Sequence, residues 1–435
     1  MSGNTIKENL NTPNPNVDVS KSWQGVFNDL NDNPIFRMSL GSKELFHSNF
    51  LAFLWDLDRD VFINMINDNL LNDRALSLDD RSKYELSRET DNFDILISHK
   101  DSKRVVCDLV IENKVKSIPY LAQLDDYVQK VKDKNKQNEQ CSFLLLSLSQ
   151  EFPDRINIEQ CGQWKVISYS SLKTAIENSY NSKRGYGRSN QYIDDYLCFI
   201  EKLSRLQQII IPEGVDESVL FLDGDIYKFK SLRLQDLYIK LRSSYFIVKL
   251  YNLLKEKGLP VSFIHSYNWS VFEEKKDNTH IFLNLGYNQG NGQIAAWIYS
   301  QKEPQPRTYE IVIQGKQYRH GIGQKQRKAQ NNSAKRDMLN TLWKELNNDA
   351  SDSKFLNFKD FSLQETVMPK KEDANFRFKT EDGNNKKSGP FDCYGDSYVY
   401  RYVDISKKKI GDLLETMVND IHSVFNDQKN NEKPL

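Results

Sequence analysis

Glu112 and Lys114 stand two residues apart near the end of an apolar run at 104–115 (RVVCDLVIENKV). On an extended strand that spacing sends both side chains to the same face. Two charges at the end of a buried strand are costly unless something pairs them. Phosphodiester hydrolysis gives them a use. Carboxylates supply oxygen ligands to a hard divalent cation, and a nearby lysine orients the attacking water or offsets charge on the phosphorus oxygens. Asn113 points to the other face, with its carbonyl available as a further ligand. A second acid, Asp94, opens the preceding apolar strand at 93–98 (FDILIS). The Glu-x-Lys spacing recurs at Glu273–Lys275 and Glu274–Lys276, but within EEKKDNT, a charged run that reads as a solvated turn. Context therefore selects Glu112.

The elements that must hold these residues follow from period and caps. Ser42 can cap a helix carrying Leu45, Phe46, Phe50, Phe53, Leu54 and Trp55, and a second amphipathic helix covers about 59–71. Strands at 93–98 and 104–115 flank the turn HKDSK. Ser117 and Pro119 open a helix to about Val131. Strands follow at 142–148 (SFLLLSL) and 164–169 (WKVISY), then a loop at 181–190 and a helix over about 191–207. This order predicts an α/β fold with a mixed sheet flanked by helices. A hairpin turning near Asp101 places Asp94 opposite about Asp108 and brings Asp91 nearer Glu112. A bulge or a longer loop brings Asp94 there instead. Both acids stay open on this reading.

The series Asp94-Ile-Leu-Ile, Ile111-Glu112-Asn113-Lys114 and Gln123-x-x-x-Tyr127 resembles the PD-(D/E)XK nuclease superfamily, whose fold is restriction-endonuclease-like. The resemblance extends to His47-Ser48-x-x-Leu51 and to Trp164-x-x-x-Ser168-Tyr169, over about residues 40–205; Phe93 stands where the family usually has proline. It implies that Asp94 and Glu112 bind Mg²⁺, for which Mn²⁺ substitutes, with the Asn113 carbonyl completing part of the shell and Glu44 adding a carboxylate. It implies that Lys114 positions the nucleophilic water, and that Gln123 and Tyr127, one helical turn apart, contact the substrate backbone or hold the lysine. It also implies cleavage to 5′-phosphate and 3′-hydroxyl ends, DNA rather than RNA as substrate, and a prokaryotic role in antiviral defence or genome maintenance. His47 reads as a residue that packs the helix or supports the site from behind rather than as a general base, since no partner for a base is evident. The alternative from another class is a nuclease-fold module that binds nucleic acid, or serves as a scaffold, without turnover.

The chain has 435 residues, long enough for two cores. Residues 1–20 read as a disordered tail, 21–210 as the nuclease-like domain, 211–425 as a C-terminal α+β domain and 426–435 as a second tail. The segment IIIPEG marks the boundary. Beyond it a long helix (about 233–257) precedes strands at 269–274, 279–286, 293–300 and 307–314, with helices at about 333–347 and 407–425. The 60 basic and 60 acidic side chains cancel, so a nucleic-acid partner has to be argued from clustering. One cluster, 311–336, holds Lys316, Arg319, Lys325, Arg327 and Lys328 without an acid among them. It is expected to track phosphates, with Gly321 and Gly323 admitting backbone amides and Tyr318 stacking on a base. Five scattered cysteines lack zinc spacing and fit a reducing cytoplasm. No apolar run reaches membrane-spanning length. A homodimer or a partner protein is compatible with all of this.

Overall fold

The computed structural model of the chain describes residues 23–39, 43–71, 76–77, 80–102, 104–135, 140–153, 155, 158–159, 162–180, 188–211, 214–264, 272, 279–288, 290–300, 307–324, 337–339, 341–342, 377–379, 385–387, 392–394 and 398–431. The N-terminal half opens with helices α1 (Trp23–Asp32), α2 (Pro34–Met38), α3 (Lys43–Leu57) and α4 (Arg59–Asn64), the last continuing as a π-helical segment, Met65–Leu71. Strands β1 (Tyr84–Thr90), β2 (Phe93–Asp101) and β3 (Arg104–Lys114) form an antiparallel meander. Helix α5 (Leu121–Lys134) crosses over to β4 (Ser142–Ser147), and β5 (Trp164–Ser168) follows; β3, β4 and β5 are parallel. The result is a five-stranded mixed sheet in the order β1-β2-β3-β4-β5. Its centre, β3 and β4, is buried on both faces, which is why those segments read as unbroken apolar runs. Helices α3, α6 (Tyr169–Tyr180) and α7 (Arg188–Ile210) share one apolar cluster on one face, with Leu109 and Ile111 of β3. Helix α5 covers the other through Leu124, Tyr127, Val128 and Val131, against Cys107 and Val110.

Register within β2–β3 decides where the acids go. Ser98 pairs with Cys107, but Ile97 pairs with Leu109, so Asp108 is an extra residue in β3. Such a bulge shifts every later pair by one, and with it the face each side chain occupies. Ile95 then pairs with Ile111. Asp94 and Glu112, one step further along, stand opposite each other on the α5 face.

Helices α8 (Asp223–Ser231) and α9 (Gln235–Glu256) lead into a second sheet. Its strands are β6 (Val261–Phe263), β7 (Ile281–Asn288), β8 (Asn291–Ser300), β9 (Arg307–Gln314) and β10 (Gln317–Gln324). A small separate hairpin, β11 (Arg377–Lys379) with β12 (Asn385–Lys387), precedes β13 (Asp392–Tyr394) and β14 (Tyr398–Asp404). The order in the seven-stranded sheet is β13-β14-β10-β9-β8-β7-β6, antiparallel except for the β6–β7 pair. Helices α9 and α10 (Ile410–Asn431) pack on one face of it, and their apolar residues join the cluster that covers the first sheet.

Several expectations shift. The hairpin turns directly after Asp101, which pairs with Arg104, so β2 runs through His99 and Lys100, residues expected in the turn. Helix α5 starts at Leu121, later than Ser117 and Pro119 suggest, with Tyr120 in the cap position and no side-chain cap hydrogen bond; the Ser117 N–H is held by Glu44 instead. Helix α10 continues to Asn431, past the expected tail start at 426, since Phe425 and Gln428 are buried along it. Segment 311–336 contains the second half of β9, as the strand expected at 307–314 requires, and all of β10, which the sequence did not announce. The expected cap Ser42 lies outside the described residues, as do the strand at 269–274 apart from Phe272 and most of the helix at 333–347.

Candidate active site

Glu112 and Lys114 end β3 side by side and are buried. The Lys114 Nζ donates to Glu112 Oε1 at 2.7 Å. Gln123, on the first turn of α5, donates from Nε2 to the same oxygen at 3.4 Å and to the Tyr127 hydroxyl at 2.8 Å. Gln123 thus braces the glutamate rather than the lysine. Tyr127 is buried, with its ring edge-on to Phe93 at 5.2 Å. Burial, together with the charge of Glu112, raises its phenol.

Asp94 is bound to the same strand end. Its Oδ2 accepts the backbone N–H of Asn113 at 2.6 Å. The rival acid is elsewhere: Asp91 lies in the two-residue turn between β1 and β2, where Asp91 and Asn92 both have positive φ, and it pairs with Lys134. The structure therefore brings Asp94, not Asp91, to Glu112.

Glu44 sits in the first turn of α3 with its Oε1 accepting three successive backbone N–H groups, from Val115 at 3.3 Å, Lys116 at 3.2 Å and Ser117 at 2.9 Å. It clamps the chain that leaves Lys114. Ser48, one turn further along α3, accepts the Asn113 Nδ2 at 2.8 Å, and Tyr169 donates to Asn113 Oδ1 at 3.4 Å. Asn113 is held from both sides while its neighbours face α5. His47 is fully buried, stacked on Phe199 and hydrogen-bonded through Nδ1 to the Tyr196 hydroxyl at 2.8 Å, a packing role as expected. Ser48 and Tyr169 occur in the motif series without roles assigned to them. Their part here depends on α3 and α6 meeting β3, a contact that spacing does not reveal.

Burial sets the electrostatics. It raises the Asp94 carboxyl, against the Asn113 hydrogen bond and the Lys114 charge. It raises the Glu112 carboxyl as well, outweighing the adjacent Lys114, and the Asp94 charge adds to the rise. Burial disfavours the Lys114 ammonium, but Glu112, Glu44 and Asp94 together outweigh that effect and raise its pKa. The Lys114 ammonium is the donor in its bond to Glu112.

Both hydrogen bonds to Glu112 fall on Oε1, and its Oε2 is buried without a hydrogen-bond partner. A buried, unpaired carboxylate oxygen opposite a second desolvated carboxylate suits a cation with oxygen ligands. Among the described residues no three His, Cys, Asp or Glu side chains cluster as a metal site; Asp94 and Glu112 face each other, and of Glu44 the Oε1 is taken by the three backbone N–H groups. A cavity of about 830 Å³ opens at the other end of β4 and β5, beside Cys141 and Trp164, and is lined by none of these acids.

The expected basic surface divides. Lys316 pairs with Asp223 at 2.5 Å. Arg319 bonds Gln317 and Gln314 and lies over the Tyr400 ring at 4.5 Å. Lys325, Arg327 and Lys328 lie outside the described residues. Tyr318 does not face a base: it is fully buried and donates to Asp420 of α10. Gly321 does not admit a phosphate either, because a Cβ there would lie 2.4 Å from the Tyr398 ring that covers it.

Residues 34–198 match the family model described as PD-(D/E)XK nuclease superfamily, which bears out the resemblance read from the motifs and agrees with the five-stranded mixed sheet. No curated protein and no solved structure matches the chain. Among the described residues no helix is long and apolar enough to cross a membrane.

Proposed function

From a PD-(D/E)XK nuclease region as premise, we propose that this protein is a metal-dependent nuclease that hydrolyses phosphodiester bonds, in DNA rather than RNA. The observation that carries the reading is the placing of Asp94, Glu112 and Lys114 at one strand end, with Glu112 Oε2 buried and unpartnered.

Asp94, Glu112 and the Asn113 carbonyl would hold Mg²⁺ or Mn²⁺. When bound, such an ion polarises the scissile phosphate and lowers the pKa of its water. Lys114, kept charged by its acidic neighbours, orients the nucleophile and offsets charge on the phosphorus oxygens. Gln123 fixes the glutamate, leaving Oε2 for the cation. Glu44, by holding the N–H groups of 115–117, sets the path of the backbone after Lys114. In this reading residues 211–425 bind the substrate or a partner, and the setting is defence against foreign DNA or genome maintenance, supported by the family resemblance alone.

The test is incubation with plasmid, single-stranded DNA and RNA in Mg²⁺ or Mn²⁺, wild type beside Lys114→Ala. Cleavage confined to the wild type supports the enzyme. Equal cleavage by both proteins reveals a contaminant and ends the proposal. The reading without turnover is favoured if the wild type binds nucleic acid but leaves all three substrates intact.

A further inference from the structure

Between Lys114 and Gln123 the chain passes through Ser117–Tyr120, three residues from each. At most about 10 Å of extended chain therefore separates this segment from either catalytic-site residue. The segment forms one wall of a cavity of about 250 Å³. The opposite wall comes from the C-terminal half: Lys240 on α9, and Leu285 and Tyr287 on β7, with Pro119 and Pro153 closing the apolar floor. Two contacts fix the walls together. Lys116 pairs with Asp236 at 2.9 Å, and the Ser244 hydroxyl donates to the Glu151 carbonyl at 2.7 Å.

The lining has a specific chemistry. Tyr120 is 40% exposed and Tyr287 38%, unusual for tyrosines in a walled groove. Lys240 places its ammonium 5.2 Å from the Tyr287 ring and, among the described residues, forms no ion pair. Flat aromatic faces beside an uncompensated cation match an unstacked base with its phosphate. The volume is below the roughly 300–1,000 Å³ of a drug-sized pocket, as suits one base rather than a larger ligand. A base inside a duplex cannot present its face to such a wall.

We propose that this groove binds an unpaired nucleobase of the substrate strand beside the cleavage site, stacked on Tyr287 and Tyr120, with Lys240 on the adjoining phosphate. The proposal rests on the nuclease reading for its substrate, and makes the preferred substrate single-stranded or locally unpaired. Loop 117–120 then has two tasks: its upstream end is clamped by Glu44, and its downstream end meets the strand.

The experiment measures equilibrium binding by fluorescence anisotropy in the full chain carrying Lys114→Ala, so that turnover plays no part. The probes are a fluorescein-labelled oligothymidylate and a blunt duplex of equal length. Tyr287→Ala should weaken single-strand binding roughly five- to hundred-fold, the range for loss of one base–aromatic stack, and weaken duplex binding far less. Tyr287→Trp should restore it. Lys240→Gln should lower the salt slope on the single strand by about 0.7. Unchanged single-strand affinity in both Tyr287→Ala and Lys240→Gln overturns the proposal, as does equal loss on both probes. If stacking-dependent binding appears while the wild type cleaves nothing, the groove stands and only the nuclease reading falls.

Discussion

Asp94 accepts the backbone N–H of Asn113 at 2.6 Å, which ties the acid that opens β2 to the strand end carrying Glu112 and Lys114. That tie exists because Asp108 is an extra residue in β3; without it Asp94 would lie opposite Ile111, on the wrong face. Asp94→Ala should therefore lower cleavage at least about 100-fold, the scale of losing one group that stabilises a transition state. Asp91→Ala should lose only a surface pair with Lys134, worth about 0–1 kcal/mol, and cleave normally. Specific activities of the two purified variants decide this, and the reverse pattern would overturn the register argument.

Glu112 is predicted to be the main anchor of the cation. Calorimetric titration of the wild type with Mn²⁺ should show binding, and Glu112→Ala should show none, since its Oε2 is buried without a protein hydrogen bond. Adding EDTA should abolish cleavage and excess Mg²⁺ should restore it. A wild type that binds neither ion would remove the basis for metal assistance.

Glu44 acts through the backbone it holds. Glu44→Ala leaves three N–H groups without their acceptor and should lower stability by about 2 kcal/mol, read from the urea midpoint at unchanged m-value. Glu44→Gln keeps one acceptor oxygen and should lose less. If both variants keep full stability yet lose Mn²⁺ binding, Glu44 is a ligand and not a clamp.

Much of the site was legible because strand period is simple: Glu112 and Lys114 fall on one face at a spacing of two, and Gln123 and Tyr127 on one helical turn. The Asp94 register was not, because nothing local marks Asp108 as the bulged residue. Its carboxylate is taken up by His99 at 2.8 Å, a contact across the strand pair. β1 was missed since it is largely exposed past Tyr84 and lacks an apolar pattern. β10 was missed for the opposite reason. Its sequence, QYRHGIGQ, is polar and glycine-rich, yet Tyr318, His320 and Ile322 are buried and Asp420 on α10 holds the first two.

The basic segment is predicted to matter through Lys325, Arg327 and Lys328, because Lys316 and Arg319 already have partners. Replacing those three with alanine should weaken DNA binding and lower the salt slope by about 2–3. Lys316→Ala should change neither. Binding isotherms at several salt concentrations provide the check, and an unchanged slope in the triple variant refutes the assignment.

Glu310 supplies a pH signature independent of the active site. It lies buried in β9, where Trp297 Nε1 donates to it at 3.1 Å and the Thr308 hydroxyl at 3.3 Å. Burial pushes its carboxyl up to about 8, although the hydrogen bonds from Trp297, Thr308 and Tyr398 work against the rise. The folded protein thus keeps a proton that the unfolded chain, near 4.5, gives up. With the folded value raised, the stabilisation is complete below the unfolded pKa and is lost as pH rises through the folded one. Urea unfolding between about pH 5 and about pH 8.5 should show the wild type losing stability relative to Glu310→Gln, which cannot ionise. Parallel pH profiles for the two proteins would show that Glu310 is ionised in the fold and that its proton plays no part in stability.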